Sequence, residues 1–213
     1  MGRRKKEPES VHRDNIAAAA ERLFAAKGIT ATTMDDIAKQ AGYSKATLYV
    51  YFTNKEEIVG LLVLKSMKML RAVLHEAVSA PAATKEKYER LCHALAQYQA
   101  QYPLYFSLAL GEINIDFDKK DHLPVERETF EVGEQINAEI VQFLRSGIEA
   151  GALLPDIPVL PTVFLFWASL SGVIQMAAHK RAYIEQAMGQ TKEQFLTYGF
   201  DRLYRLIARE DKE

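Results

Sequence analysis

The feature that most restricts the fold of this chain is a pair of short segments, 34–41 and 44–52, joined by Gly42 and Tyr43. Apolar residues recur in both segments at the spacing of one helical face: Ile37, Ala38 and Ala41 in the first, Leu48 and Phe52 in the second. Gly42 gives the chain the backbone freedom that a sharp turn requires. Two short helices joined in this way have the dimensions of a helix-turn-helix.

Helical periodicity extends over the rest of the chain, and no segment shows the two-residue alternation that is typical of a strand. Side chains that can cap a helix stand at Thr32 or Thr33, at Ser44 and at Asn54. Prolines and glycines mark the other boundaries and predict further helices near 10–27, 55–79, 84–101, 103–115, 124–150, 158–187 and 192–209. The sequence therefore predicts an all-α fold. It consists of a flexible basic arm at 1–9, a three-helix domain at 10–54 and a larger helical domain at 55–213.

Positive charge is concentrated at the beginning of the chain. The formal net charge over 213 residues is -1, but residues 1–60 hold 10 Lys and Arg against 8 Asp and Glu. The run of Arg3, Arg4, Lys5 and Lys6 is the densest part of this excess. Such an arm contacts DNA phosphates in some proteins and is a solvated tail in others, and the sequence leaves both interpretations open.

If Leu48 and Phe52 point inward, the opposite side of the second short helix faces solvent. That side offers six side chains: Lys45, Ala46, Thr47, Tyr49, Val50 and Tyr51. A lysine reaches a guanine edge or a phosphate, small apolar side chains pack on thymine methyl groups, and hydroxyls bond to phosphate oxygens. Lys55 adds a cation at the start of the next helix, where free amides also favour anions. These residues predict an interface with double-stranded DNA.

The same part of the chain resembles the DNA-binding domain of the tetracycline-repressor (TetR) family over about residues 12–60. The resemblance is carried by Ile16, Leu23, Phe24, Gly28, Thr32, Thr33, Ile37, Ala38, Ala41, Gly42, Ser44, Leu48, Tyr49, Tyr51, Phe52, Lys55 and Glu56. It implies DNA contacts from Thr33, Tyr43, Ser44, Lys45, Thr47, Tyr49, Tyr51 and Lys55. Family members often carry a basic residue just after the threonines. This chain has Asp35 and Asp36 there, so we expect no base contact from that position.

The resemblance also implies a helical C-terminal domain that forms a homodimer and binds a small effector. Aromatic residues are plentiful there, so we predict an apolar or aromatic effector in a pocket between helices. The candidate pocket residues are Tyr102, Phe106, Phe130 and Trp167. A place in the ordinary core would also explain each of them.

Residues 159–178 contain no charge, and a run of this length can span a bilayer. A helix that is apolar all round is also found buried on both sides in a soluble protein. We favour the second interpretation, because the run contains Pro161, Ser169, Ser171 and Gly172 and nothing else in the chain resembles it. In similar proteins the last two long helices pair with their mates across a two-fold axis, which would cover this segment without a membrane.

Other classes of function have little support in the sequence. Histidines and carboxylates lack the spacing of metal ligands, and no nucleophile motif or phosphate-binding loop is present, so we expect neither catalysis nor a cofactor. Cys92 is the only cysteine, which suits a reducing cytoplasm. We predict a cytoplasmic, sequence-specific DNA-binding regulator, a repressor that a small molecule releases from a palindromic operator. A constitutive DNA-binding protein without an effector, or a helical enzyme or carrier, stays open as an alternative.

Overall fold

A computed structural model describes residues 8–111 and 123–209 of the chain. These residues form ten helices: α1 (Glu9–Lys27), α2 (Met34–Ala41), α3 (Lys45–Tyr51), α4 (Lys55–Ser79), α5 (Thr84–Gln101), α6 (Pro103–Ala109), α7 (Pro124–Glu149), α8 (Val159–His179), α9 (Arg181–Met188) and α10 (Lys192–Arg205). Within the described ranges the only β pairing is an isolated antiparallel bridge between Leu153 and Ala208. The prediction of an all-α fold is confirmed. Most of the predicted arm, including its four basic residues, lies outside the described residues.

Three predicted helix boundaries are wrong. The predicted helix 158–187 is two helices, because Lys180 leaves helical geometry (φ -109°, ψ 22°). Apolar residues recur on both sides of this break, so the periodicity did not reveal it. The helix predicted at 192–209 ends at Arg205, because the residues after it pair with the loop before α8. The amide of Leu154 donates to the carbonyl of Ile207, and the amide of Arg209 donates to the carbonyl of Ala152. The helix predicted at 103–115 ends at Ala109, and residues 112–115 lie outside the described residues.

The described chain divides into two compact units, and α4 contributes residues to both. The N-terminal unit comprises residues 8–66 and 123–129, and α1 packs there against α2 and α3. Its core is apolar and includes Ile16, Ala20, Phe24, Ile37, Ala38, Leu48, Phe52, Ile58 and Leu62. Each helix supplies one stripe of this core, as amphipathic helices of a small domain do.

The C-terminal unit comprises residues 67–111 and 130–209. Its helix α8 packs against α5 and α10. Gly199 of α10 lets α8 and α10 approach each other closely. A Cβ atom at Gly199 would lie 2.9 Å from Cγ1 of Val173, so a larger residue would push the two helices apart. The unit thus brings its longest apolar helix into contact with two neighbours.

Among the described residues, α8 is the one helix that is long and apolar enough to cross a membrane. Core helices of soluble proteins have the same length and composition. Thr162, Val163, Phe166, Leu170, Ile174 and Ala177 are buried within the unit, whereas Leu160, Phe164, Leu165 and Met176 are exposed. The helix therefore has an inner face that the unit covers and an outer apolar face that it does not cover.

Candidate nucleic-acid interface

The helix-turn-helix is built by side chains that cap its two short helices. Thr33 accepts a hydrogen bond from the amide of Asp36, and Asp36 accepts one from the amide of Thr33, which satisfies two free donors at the start of α2. Gly42 ends α2 in the left-handed region at φ 76°, where a side chain would be strained. The Ser44 hydroxyl then accepts from the amide of Thr47 at 3.0 Å and starts α3. The turn chemistry predicted at Thr33, Gly42 and Ser44 is confirmed.

The inner face of α3 is as predicted, whereas the predicted outer face is exposed only in part, because Thr47 and Tyr51 are half-buried. Leu48 and Phe52 are 0% and 1% exposed, whereas Tyr49 and Val50 are 47% and 75% exposed. Lys45 and Ala46 are also exposed. We call the exposed side chains of Lys45, Ala46, Tyr49 and Val50 the recognition surface. It combines a cation, a phenol and two small apolar groups on one short helix.

Two of the predicted contact residues, Tyr43 and Tyr51, are half-buried and not fully exposed, because they pack around a histidine of α1. The hydroxyl of Tyr43 lies 2.8 Å from Nδ1 of His12, at hydrogen-bond distance. The ring of Tyr51 lies 5.1 Å from the His12 ring. His12 is a site residue that the sequence did not reveal, since it stands 31 positions before Tyr43 and no local pattern links the two.

Arg13 fixes the end of α3 from the same helix. Its guanidinium lies over the ring of Phe52, 4.2 Å from the centroid, and donates to the carbonyl of Tyr51 and to Oε1 of Glu57. Burial raises the pKa of Glu57, but hydrogen bonds from Thr53 and Arg13 more than offset this, so the pKa is lowered. A charged carboxylate at Glu57 therefore holds the arginine that positions α3.

Lys55 was predicted to contact phosphate, and the structure places its ammonium group against the protein backbone. Nζ donates to the carbonyl of Ile29 at 2.8 Å and to that of Thr32 at 3.0 Å. It thereby ties the start of α4 to the loop between α1 and α2. The ammonium group already donates to two carbonyl groups, so a phosphate would be its third acceptor. The phosphate contact of Lys55 stays a prediction.

The two aspartates of α2 each engage a lysine. Nζ of Lys45 lies 2.7 Å from Oδ1 of Asp35, and this hydrogen bond raises the pKa of Lys45. Nζ of Lys27 lies 2.7 Å from Oδ2 of Asp36. That bond, together with those from Thr33, lowers the pKa of Asp36 well below its usual range. Asp35 therefore holds the one lysine of the recognition surface in its charged form.

The C-terminal unit contains an apolar cavity between α5, α7 and α8. It has about 410 Å³ of space free of protein atoms, its opening included, and its lining includes Tyr88, Leu95, Phe143, Phe166 and Trp167. A smaller space, with about 230 Å³ free of protein atoms when its opening is included, shares Leu95 and Trp167 with it and is also lined by Phe106. Of the predicted pocket residues, the structure brings Phe106 and Trp167 together.

The other two predicted pocket residues lie elsewhere. Tyr102 is 42% exposed and stacks on Tyr105 with ring centroids 6.1 Å apart. Phe130 is half-buried, and neither residue belongs to the lining of these two cavities. Cys92 is buried, and burial raises the pKa of its thiol to about 12, so the thiol is protonated at neutral pH and packs as part of the core.

Comparisons with known proteins agree with this geometry. Residues 16–62 match the family described as bacterial regulatory proteins, tetR family. The HTH-type transcriptional regulator TtgR of Pseudomonas putida is 43% identical over 63 residues, 30% of each chain. The HTH-type transcriptional repressor KstR2 of Rhodococcus jostii is 28% identical over 155 residues, which cover 71% of this chain and 72% of KstR2.

The likeness extends over the whole fold. The crystal structure of the TetR-family transcriptional regulator PfmR from Thermus thermophilus superposes with a TM-score of 0.67 at 28% identity, covering 94% of this chain and 98% of PfmR. The match covers the helix-turn-helix with its caps and its exposed recognition surface, and the likeness to PfmR covers almost all of both chains. Residues 16–62 form a DNA-binding domain of the tetR family of bacterial regulatory proteins, and the chain as a whole has the fold of a TetR-family transcriptional regulator.

Proposed function

We propose that this regulator is a repressor that binds a palindromic operator as a homodimer. Each α3 would enter a major groove, and the two grooves would lie about 34–36 Å apart along the DNA. The observation that carries this proposal is the recognition surface, because Lys45, Tyr49 and Val50 are exposed together on a helix whose other side is anchored in the core. Occupied DNA would then be closed to transcription.

The contacts divide by chemistry and exposure. Lys45, Ala46, Tyr49 and Val50 would face the base edges, with Lys45 reading a guanine or bonding to a phosphate and Val50 packing on a thymine methyl group. The remaining predicted contacts would bond to the phosphates on either side: Thr33, Tyr43, Ser44, Thr47, Tyr51 and Lys55. His12 would position the Tyr43 hydroxyl, since the two lie at hydrogen-bond distance.

The proposed homodimer would cover the outer face of α8. Leu160, Phe164, Leu165 and Met176 are about half exposed, and Gly172 on the same helix adds no side chain. Exposed Tyr198 and Leu206 extend the apolar character to α10 and the residue after it. Apolar patches of this kind are rarely left open to water, and a second copy with the same face supplies a matching surface.

The proposed effector is a small molecule with an apolar or aromatic body, held in the cavity beside Trp167. The lining of the cavity is almost entirely hydrocarbon, which suits such a body. Its enclosed volume is only about 30 Å³, so the effector would have to displace lining side chains as it enters. The effector would shift the repressor toward a state with the wrong spacing of its two α3 helices. Its leverage would equal its difference in affinity for the two states. DNA binding places the protein in the compartment that holds the DNA, which we take to be the cytoplasm.

One experiment tests the DNA contacts. Genomic fragments captured by the protein would be sequenced to define the operator, and binding would be measured over a range of salt. Lys45→Gln should change the preferred operator or reduce the salt slope by about 1. The matched control is Lys65→Gln, because Lys65 pairs with Glu21 on another face of the unit. If both variants keep the wild-type preference and slope, the assignment of Lys45 is wrong.

A second experiment tests the homodimer. Phe164→Glu places a charge on the outer face of α8 and should convert the dimer to a monomer in light scattering, with loss of operator binding. Tyr102→Glu, at another exposed aromatic residue, should leave the dimer intact. A dimer that survives Phe164→Glu would rule out this interface. Sedimentation of the wild-type chain with lipid vesicles would point instead to a membrane-bound α8.

A further inference from the structure

The C-terminal unit has a second opening whose lining differs from that of the apolar cavity. It is a groove between the ends of α4, α5 and α7, with about 590 Å³ of space free of protein atoms, its mouth included. Its polar lining residues are Thr84, Lys87, Glu139, Gln142 and Ser146. The groove can therefore bind groups that the apolar cavity would exclude.

The charges in this groove do not balance. Oε1 of Glu139 lies 3.0 Å from Nε of Arg71, so the charge of this carboxylate is neutralised from α4. Its buried Oε2 lies 3.5 Å from Nδ1 of His75 and accepts no hydrogen bond from the described residues. No ion pair or hydrogen bond engages the ammonium group of Lys87 among the described residues. Within the part of the chain that the structure describes, the groove thus carries one cation that no acidic side chain neutralises. An anion is the ligand group that would gain most from it.

The groove and the apolar cavity share a wall. Phe143 of α7 lines both, and it is 8% exposed. On α5, consecutive residues serve the two spaces, because Lys87 lines the groove and Tyr88 lines the cavity. A rotation of the Phe143 side chain would join a hydrocarbon space to a cationic one.

We propose that the effector is an amphipathic anion, with its apolar body in the cavity and its carboxylate or similar head group in the groove, paired with Lys87. This inference rests on the proposed effector function and adds the chemistry of the head group. The Gln142 amide and the Ser146 hydroxyl, which bond to each other at a long 3.3 Å, are additional donors for such a head group. A cationic head group would face Lys87, and Arg71 already neutralises the charge of Glu139.

The protein carries its own probe, since Trp167 is its only tryptophan and lines the cavity. Three ligands with one hydrocarbon chain and different heads can be titrated below their aggregation limits while the Trp167 emission is followed: decanoate, 1-decanol and decylamine. Decanoate should bind about tenfold more tightly than 1-decanol, as one charge-assisted hydrogen bond in a partly open site allows. Decylamine should bind more weakly than either.

Lys87→Gln should remove the preference for decanoate and leave the affinity for 1-decanol unchanged. Lys85→Gln is the matched control, because Lys85 lies two residues away on α5, is exposed and belongs to neither lining. Equal affinities for decanoate and 1-decanol in the wild type, or an anion preference that survives Lys87→Gln, would overturn the head-group site while leaving the cavity in place. Tighter binding of decylamine would assign the groove to cations through Glu139. If none of the three changes the Trp167 emission, the proposed apolar effector site fails together with the head-group site.

Discussion

The two units of this protein hold their helices in different ways. In the N-terminal unit α2 and α3 have only 8 and 7 residues, and each begins at a side chain that caps it. In the C-terminal unit α8 has 21 residues and begins at Pro158 without a side-chain cap. Helices below about 12 residues are marginal by themselves, so α2 and α3 gain more from a capping hydrogen bond than α8 does.

This difference affects how each unit can be identified. Caps and turns involve residues that are three or four positions apart, and such patterns are visible in the sequence. The contacts of α8, by contrast, join residues that are far apart in the chain, as when Tyr88 donates to the carbonyl of Phe200 across 112 positions. The unit with local interactions is therefore the one that the family comparison matches, over residues 16–62.

The largest expected effect comes from removing a core side chain in either unit. Leu48 and Ile174 are both 0% exposed, and replacing either by Ala should lower the free energy of unfolding by about 2–5 kcal/mol. Leu48→Ala should abolish operator binding and leave the emission of folded Trp167 unchanged, whereas Ile174→Ala should shift that emission. Denaturant unfolding followed by circular dichroism and by fluorescence would measure both. If Leu48→Ala shifts the Trp167 emission and Ile174→Ala does not, the effect of a core substitution is not confined to its own unit.

A smaller effect is expected from the two capping boxes, one in each unit. Thr33 with Asp36 starts α2, and Thr191 with Gln194 starts α10. Thr33→Ala and Thr191→Ala should each destabilise their unit by about 1 kcal/mol. Only Thr33→Ala should weaken operator binding, because the shorter helix carries the helix-turn-helix. Equal losses of DNA affinity in calorimetric titrations would contradict this division.

The histidine that packs against Tyr43 should have an effect of similar or smaller size. His12→Phe keeps a ring in place and removes one hydrogen bond, so DNA affinity should fall by about 0.5–1.5 kcal/mol, roughly two- to twelvefold. The loss should be the same on every DNA sequence if Tyr43 contacts phosphate. His93→Phe, at an exposed position of α5, is the control in the other unit and should not change DNA affinity. Nδ1 of His93 lies 2.7 Å from the carbonyl oxygen of Glu89, so this variant also removes one contact of a histidine.

The smallest effect is expected in mild acid. The pKa of Asp36 is lowered in the folded protein, so its stabilising contribution is full above its unfolded pKa of about 3.9 and declines as the pH falls below that value. The wild type should lose stability between about pH 5 and pH 3 more steeply than Asp36→Asn, which keeps an acceptor but has no charge to lose. Parallel curves from urea titrations of the two proteins would mean that the Asp36 charge contributes nothing.

The sequence could also predict much of the site itself. The faces of α3 follow from the spacing of Leu48 and Phe52, and the start of α4 follows from Asn54, whose Oδ1 accepts from the amide of Glu57 at 2.8 Å. The pocket was harder to predict, since Phe106 and Trp167 meet at the cavities while Tyr102 stays outside them. An aromatic residue in a helix has the same local pattern whether it lines a cavity or fills a core.

By itself, the sequence determined the helical fold, the helix-turn-helix and its caps, because these depend on residues within a turn or two of each other. Only the tertiary structure decided which distant side chains support that site. It placed His12 and Arg13 against α3 and gave the ammonium of Lys55 two backbone carbonyls to hold. It also placed Lys87, which has no acidic partner among the described residues, in a groove beside an apolar cavity. Such pairings depend on how the helices pack, and no periodicity within one helix records which partner will face it.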